Sequence, residues 1–152
     1  MGIDRQVELS QEETDAFLGG HETGVLALAR VDEPYAIPIS YGYDSNVQRF
    51  YMRLVSAPES EKRQFLDSSP QVRIVVYDEE GETYRSVVAI GELEHIDPGE
   101  LTVENIEQYG DAKRPLFESW AQPKRNLDIE LYTLSPESLS GRLIEVDREA
   151  EA

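Results

Sequence analysis

Three cations close together in the sequence are the residues best suited to bind a phosphate group. Arg53 ends a β-prone segment, and Lys62 and Arg63 stand in the first turns of a helix that opens with the capping box Ser56 to Glu59. A helix start offers backbone N–H groups to an anion, and neighbouring cations add charge-assisted hydrogen bonds. On spacing alone, a phosphate site and ordinary surface charge on an acidic protein are equally good explanations.

A predicted β-hairpin precedes the helix and separates two kinds of surface. Its first strand, 35–43, has tyrosine and isoleucine side chains on one face and small ones, including Pro38 and Ser40, on the other. The return strand has large apolar side chains on one face and Tyr51 and Arg53 on the opposite face. The hairpin therefore predicts a core side and a flat, partly basic side beside the cations.

The spacing of the His and Ser residues predicts neither a metal site nor a catalytic nucleophile. His21 and His95 lie far apart in different elements, and the sequence has no Cys, so we expect both histidines at the surface or at a barrel end. Ser40, Ser60 and Ser86 have no His at the spacing of a catalytic triad. If the protein is an enzyme, a bound cofactor supplies its reactive group.

The amino-acid composition limits the kinds of protein that this chain can be. The 152 residues include 31 acidic and 14 basic ones, for a net charge of -17, and Lys occurs only at 62, 113 and 124. Such an acidic, Lys-poor chain is typical of a halophile, since concentrated salt screens the self-repulsion. The charge argues against nucleic acid as a partner. An acidic disordered protein is disfavoured, because 39% of the residues are hydrophobic and fall in strand patterns.

The chain is long enough for one domain, 1–152, with frayed tails at 1–7 and 148–152. The first 15 residues lack the apolar core of a signal peptide, and no apolar run has the length of a membrane span, so we expect a cytoplasmic protein with no membrane partner.

The elements that must position the cations are mostly strands. The capping box Ser10 to Glu13 predicts a short helix that ends at Gly19-Gly20 and plugs one mouth of a barrel. The strand 84–96 contains Gly91, a natural place for a barrel corner. The other predicted elements are strands at 23–30 and 72–77, helices at 59–66 and 101–109, a helical turn at 116–120, and a closing hairpin of 127–134 with 139–146.

Five segments in this order resemble the pyridoxamine 5′-phosphate oxidase-like proteins. They are Gly-Val-Leu-Ala-Leu-Ala at 24–29, Pro-Tyr-Ala-Ile-Pro-Ile-Ser-Tyr at 34–41, Phe-Tyr-Met-Arg at 50–53, Lys62-Arg63, and Arg-Ser-Val-Val-Ala-Ile-Gly at 85–91. The resemblance covers residues 8–146 and is closest to small, single-domain members related to nitroimidazole-resistance proteins. It implies a mainly β fold with peripheral helices (α+β), a split antiparallel β-barrel of the FMN-binding type. Where many relatives have His in the third strand, this chain has Met52-Arg53.

The same resemblance implies an FMN site. Beside the isoalloxazine ring it places Pro38, Ile39 and Ser40. Along the ribityl chain it places Tyr51, Met52 and Arg53. Around the phosphate it places Arg53, Lys62 and Arg63, with a hydrogen bond from Ser86. Trp120 and Arg85 are candidates for the ring side or the partner side. For Tyr51 and Met52 the alternative is plain core packing.

The family further implies a homodimer with the flavin at the subunit interface and a small molecule as electron donor or acceptor. We expect an FMN-dependent oxidoreductase; the alternatives are a flavin-binding protein without turnover, or a relative that binds a deazaflavin or haem in the same groove. The sequence does not specify the substrate.

Overall fold

The computed structural model describes residues 2–56, 64–66, 71–97 and 128–147. In chain order the elements are β1 (Gly2–Glu8), α1 (Gln11–Gly19), β2 (Thr23–Arg30), β3 (Glu33–Ser40), β4 (Gly42–Asp44), β5 (Arg49–Ser56), β6 (Gln71–Glu80), β7 (Thr83–Ile96), β8 (Asp128–Leu134) and β9 (Ser138–Asp147). Residues 64–66 are helical. No helix in these ranges is long and apolar enough to cross a membrane. The helix predicted at 101–109 and the turn at 116–120 lie outside the described residues.

All nine strands belong to one antiparallel sheet that closes on itself. Its main path is β3-β2-β6-β7-β8-β5-β4, with β9 on β7 and β1 on β9. The two ends of this path, β3 and β4, are separated in the chain by Tyr41 alone. The edges of the sheet therefore meet at one corner, and the fold is the split antiparallel β-barrel, with α+β composition, that was predicted.

The core is the interior of this barrel. Leu26, Ile74 and Ala89 occupy one row across three neighbouring strands and are each 0% exposed. From the other half of the sheet, Met52 and Leu134 join the same apolar cluster. These side chains alternate with outward-facing ones, as the period of two along a strand requires.

Helix α1 plugs one mouth of the barrel, as predicted. Its capping box is formed: the Glu13 backbone N–H donates to the Ser10 hydroxyl at 3.1 Å, and the Ser10 N–H donates to the Glu13 carboxylate at 3.0 Å. Two hydrogen bonds with Ser10 lower the pKa of Glu13. The bond from the Ser10 backbone N–H has the larger effect, and the bond with the Ser10 hydroxyl has the smaller one. Phe17 and Leu18 project from the helix into the core cluster. Apolar burial therefore holds α1 on the mouth.

The prediction of one continuous strand at 35–43 is wrong, because the strand breaks at Tyr41. The Tyr41 backbone N–H donates to the Glu22 carbonyl at 3.0 Å, and the Tyr41 hydroxyl donates to the Leu18 carbonyl at 2.8 Å. The first bond continues the register of β3 with β2, in which Ser40 lies opposite Thr23, and the second ties the Tyr41 side chain to the end of α1. The chain then changes partner, since β3 pairs with β2 whereas β4 pairs with β5. The predicted turn after β4 is confirmed by the Asn46 N–H, which donates to the Asp44 carboxylate at 2.9 Å.

The predicted closing hairpin is also wrong. β8 and β9 follow one another along the same edge of β7: Leu134 lies opposite Leu93, and Ser138 lies opposite Ile90. The connecting residues do not turn back, because the Glu137 N–H donates to the Ile90 carbonyl at 2.8 Å. Within the predicted frayed tail at 1–7, residues 2–7 lie in strand β1, which pairs with β9; residue 1 and residues 148–152 lie outside the described residues.

Candidate functional site

The corner at Tyr41 brings two groups of predicted cofactor residues to the same part of the barrel. Pro38 and Ser40 lie on β3 just before it, and Tyr51 lies on β5 opposite Gly42 just after it. Because β5 is antiparallel to β4, it runs back from the corner toward β3, and the two strands approach each other. The outer faces of β3 and β5 on the two sides of this corner, called the groove below, therefore form the candidate site.

The side chains that line β3 sort as expected. Pro38 is exposed and Ser40 is buried at 4% exposure, both on the face opposite the core. Ile39 is 3% exposed and belongs to the core cluster, so only its backbone faces the same way as its neighbours. The outward face of β3 near the corner is therefore small and flat, a surface that a planar ring can approach.

Strand β5 carries the other group. Met52 is 0% exposed inside the barrel, which agrees with the core-packing alternative for its side chain. Tyr51 and Arg53 point to the opposite face, where Tyr51 is 2% exposed and Arg53 is half-buried. Tyr51 lies opposite Thr133 of β8, a buried polar residue, and Arg53 lies opposite Leu131. On the outer face of β5, the Arg53 cation thus lies two residues beyond Tyr51, which is next to the corner.

The helical residues 64–66 return the chain to β3. The Phe65 ring stacks on Tyr35 with centroids 4.7 Å apart and an interplanar angle of 13°. Arg30 lies over the Phe65 ring at 5.4 Å and donates to Gln64 at 3.3 Å. Lys62 and Arg63, which directly precede this turn, lie outside the described residues, as does Trp120. Of the three cations predicted to bind the phosphate, Arg53 is the one that lies within the described residues.

Ser86 lies on the same outer face as Ser40, but three strands away. It is opposite Tyr77 on β6 and Arg142 on β9, while Ser40 is opposite Thr23 on β2. With neighbouring strands about 4.8 Å apart, Ser40 and Ser86 are separated by about 14 Å. Arg53 lies opposite Leu131, which lies opposite Ile96, ten residues along β7 from Ser86, so the structure does not bring Ser86 next to Arg53 within one chain.

Between those two serines the outer face is apolar. Pro38, Val25, Val75 and Val88 are direct neighbours in one row across β3, β2, β6 and β7. Next to this row Tyr77 is 69% exposed. Within the row Pro38 is exposed and the three valines are half-buried, so Pro38 and Tyr77 supply most of the apolar surface that another molecule could contact.

Two tyrosines fix the corner to the helix. The Tyr43 hydroxyl donates to the Asp15 carboxylate at 2.5 Å, in addition to the bond from Tyr41 to Leu18. Burial raises the pKa of both phenols well above the usual range, and the Asp15 hydrogen bond adds to the effect at Tyr43. Both groups are therefore neutral donors at physiological pH and hold the groove's end rigidly.

Sequence reasoning missed a charged cluster at the barrel mouth. The His21 ring is hydrogen-bonded to Asp78, which is 57 residues away in the chain and also forms an ion pair with Arg85. No spacing rule links these positions, although the expected placement of His21 at a barrel end is correct. No group of His, Asp and Glu among the described residues is arranged to hold a metal ion.

Comparison with known proteins agrees with this geometry. The family model described as pyridoxamine 5′-phosphate oxidase matches residues 10–143. No curated protein matches the sequence.

Among solved structures, a FAD-binding protein from Mesorhizobium loti is 22% identical, with a TM-score of 0.70, covering 95% of this chain and 100% of that one. A FAD and heme binding protein from Mycobacterium smegmatis is 17% identical, with a TM-score of 0.67 and coverage of 97% and 78%. A protein assigned to 5-nitroimidazole antibiotic resistance from Bacteroides thetaiotaomicron is 14% identical, with a TM-score of 0.65 and coverage of 95% and 90%. At these identities the likeness establishes the fold.

Proposed function

Because the chain belongs to the pyridoxamine 5′-phosphate oxidase family, we propose that it binds FMN in the groove between β3 and β5 and acts as a flavin-dependent oxidoreductase on a small molecule. The observation that carries this proposal is the corner at Tyr41, which sets the small outer face of Pro38 and Ser40 beside the strand of Arg53. A flat surface next to a cation fits a planar ring with a phosphate at the end of its side chain.

Each residue of the groove has a specific part in binding. Pro38 and Ser40 leave room for the ring, and Ile39 contributes backbone only, because its side chain is in the core. Tyr51 lines the path of the ribityl chain, whereas Met52 supports that strand from inside the barrel. These assignments keep every large side chain of β3 out of the groove.

The phosphate is held by Arg53 together with Lys62 and Arg63. Arg53 extends from the outer face of β5, and the two other cations come from the segment that precedes the helical turn at 64–66. The packing of Phe65 on Tyr35 supports this arrangement, since it places a residue that closely follows these two cations in the sequence against β3. Several cations around one dianion give the site its preference for a phosphorylated flavin.

When bound, the flavin would supply reversible electron and hydride transfer, which no side chain in the groove can perform. The protein's own residues bind and orient it. The backbone of β3 limits access from one side, and the neutral Tyr41 and Tyr43 keep the corner fixed to α1.

A homodimer completes the proposal. The apolar row of Pro38, Val25, Val75 and Val88 is a surface that a second copy would cover. Ser86 lies at the far side of this row, so its position suits a contact with the flavin of the partner subunit better than with its own.

The absorption spectrum of the protein purified in high salt tests the cofactor. We expect a yellow protein with flavin bands and, after unfolding, release of FMN rather than FAD, although several structural neighbours carry FAD in their names. A red protein with a Soret band indicates haem and contradicts the proposal, as does a colourless protein that takes up neither flavin. Anaerobic bleaching by a reduced nicotinamide separates an oxidoreductase from a flavin-binding protein without turnover.

A further inference from the structure

The barrel mouth contains a histidine whose two ring nitrogens both face hydrogen-bond acceptors. Nδ1 of His21 lies 2.7 Å from the carbonyl oxygen of Phe17, and Nε2 lies 3.0 Å from a carboxylate oxygen of Asp78 on β6. Carbonyl and carboxylate oxygens only accept, and a neutral imidazole donates from one nitrogen. Both hydrogen bonds therefore form together only when the imidazole is cationic.

Asp78 and Phe17 extend this contact into a cluster. Arg85 on β7 donates to Asp78 from Nε at 3.2 Å and from Nη2 at 2.7 Å. The Arg85 guanidinium lies 5.1 Å from the centre of the Phe17 ring, and the His21 ring lies 4.1 Å from it. The mouth cluster, His21, Asp78, Arg85 and Phe17, thus joins the end of α1 to both β6 and β7.

The rest of this flank of the helix is open. A pocket of about 410 Å³ lies between α1 and strands β7 and β9, and its lining includes Ala16, Phe17, His21, Arg85 and Leu143. On the opposite flank, α1 is held by Tyr41 and Tyr43. The two flanks therefore differ, because the Tyr side is fixed by neutral donors and the pocket side depends on a titratable group.

We propose that protonation of His21 adds to the apolar burial of Phe17 and Leu18 in holding α1 on the barrel mouth, and that deprotonation weakens the hold on the pocket flank of the helix. The neutral ring keeps one of its two hydrogen bonds and loses the other, so the population with α1 lifted rises with pH. This device does not depend on the flavin.

The charged groups around His21 have opposing effects on the cationic form of its ring. Asp78 from β6 favours the cation, as do Glu13 in the lining of the same pocket and the adjacent Glu22. Arg85 from β7 opposes it, although Asp78 pairs with Arg85 and Glu80 lies 3.9 Å from the same guanidinium. The mouth of the barrel thus has three carboxylates and one guanidinium around the His21 ring.

Amide hydrogen exchange tests this proposal on the full chain at constant high salt. Between pH 5.5 and pH 8.5, after correction for the intrinsic exchange rate, we expect protection of the α1 amides to fall roughly tenfold, the effect of losing one charge-assisted hydrogen bond. Amides of β6 and β7 are expected to keep their protection, because the barrel itself stays closed.

Three variants give the controls. His21→Gln should show the lower protection of α1 at both pH values, and His21→Lys, a cation throughout this range, should show protection that does not change with pH. His95→Gln should behave like the parent. His95 lies at the opposite end of β7 from Arg85, and it bonds to Glu130 on β8. Unchanged α1 protection in the parent, pH dependence retained in His21→Gln, or equal loss of protection in β6 and β7 would each overturn the proposal.

Discussion

Replacement of Gly91 by Ala tests the arrangement in which β8 and β9 share one edge of β7. A Cβ at this position would lie 2.9 Å from the Ser135 carbonyl oxygen and 3.3 Å from the Pro136 Cα. Both are backbone atoms, so no side-chain rotation relieves the overlap. Overpacking of this kind costs about 1–3 kcal/mol of unfolding free energy. For a chain of this size, each kcal/mol lowers Tm by about 2–4 °C.

Urea unfolding followed by circular dichroism at fixed salt measures the effect, with Gly19→Ala as the matched control. Gly19 ends α1, and an added Cβ there meets no atom within 4 Å. Its replacement should therefore leave stability unchanged or raise it by up to about 1 kcal/mol. If Gly91→Ala behaves like Gly19→Ala, residues 135–137 do not cross Gly91, and the hairpin expected from the sequence is the better description.

Three further predictions concern the whole molecule. With a net charge of -17, we expect Tm to rise between low and molar salt, because screening reduces self-repulsion; an unchanged Tm contradicts this. Light scattering in high salt should give the mass of a dimer, and a monomer's mass counts against the apolar outer face as an interface. The raised pKa values of Tyr41 and Tyr43 mean that the folded state retains protons that the unfolded state releases above pH about 10. Stability contributed by these phenols is present below that pH and falls above it, so Tyr43→Phe should reduce the decline between pH 9 and 11 in unfolding experiments.

Local patterns predicted the strands well because side-chain alternation is a property of neighbouring residues. The core placement of Met52 and Ile39, the capping box at Ser10 and the extent of β2 all follow from a few adjacent positions. The position of Gly91 was also informative, since β7 changes its partner from β9 to β8 there.

The failures share a different physical cause. At the break at Tyr41 the chain changes its partner strand from β2 to β5, and the Tyr41 hydroxyl bonds to the Leu18 carbonyl, 23 residues earlier in the chain. The segment around Pro136 has the composition of a turn, yet its contacts with β7 keep it extended along that strand. Long-range hydrogen bonds decided both cases, and a local pattern contains no information about them. The mouth cluster was missed for the same reason.

The candidate site was predicted in outline only. The sequence alone placed Pro38, Ser40, Tyr51 and Arg53 on outward faces, and the structure brings their strands together at one corner. It could not show that Ser86 is three strands from Ser40, because that separation depends on the order of strands in the sheet.

Titration of FMN against the parent and Arg53→Ala tests the proposed cofactor site most directly. Charge-assisted hydrogen bonds contribute about 1.5–3 kcal/mol each, so we expect Arg53→Ala to weaken FMN binding roughly tenfold to a hundredfold while the far-UV spectrum stays unchanged. Arg5→Ala is the control, because Arg5 is an exposed cation on β1 that pairs with Glu145 at 3.7 Å; it should bind FMN like the parent. Riboflavin, which lacks the phosphate, should bind the parent weakly and be nearly indifferent to the Arg53 change. Equal FMN affinity in the parent and Arg53→Ala, or riboflavin binding as tight as that of FMN, would contradict the assignment of the groove between β3 and β5 as a flavin site.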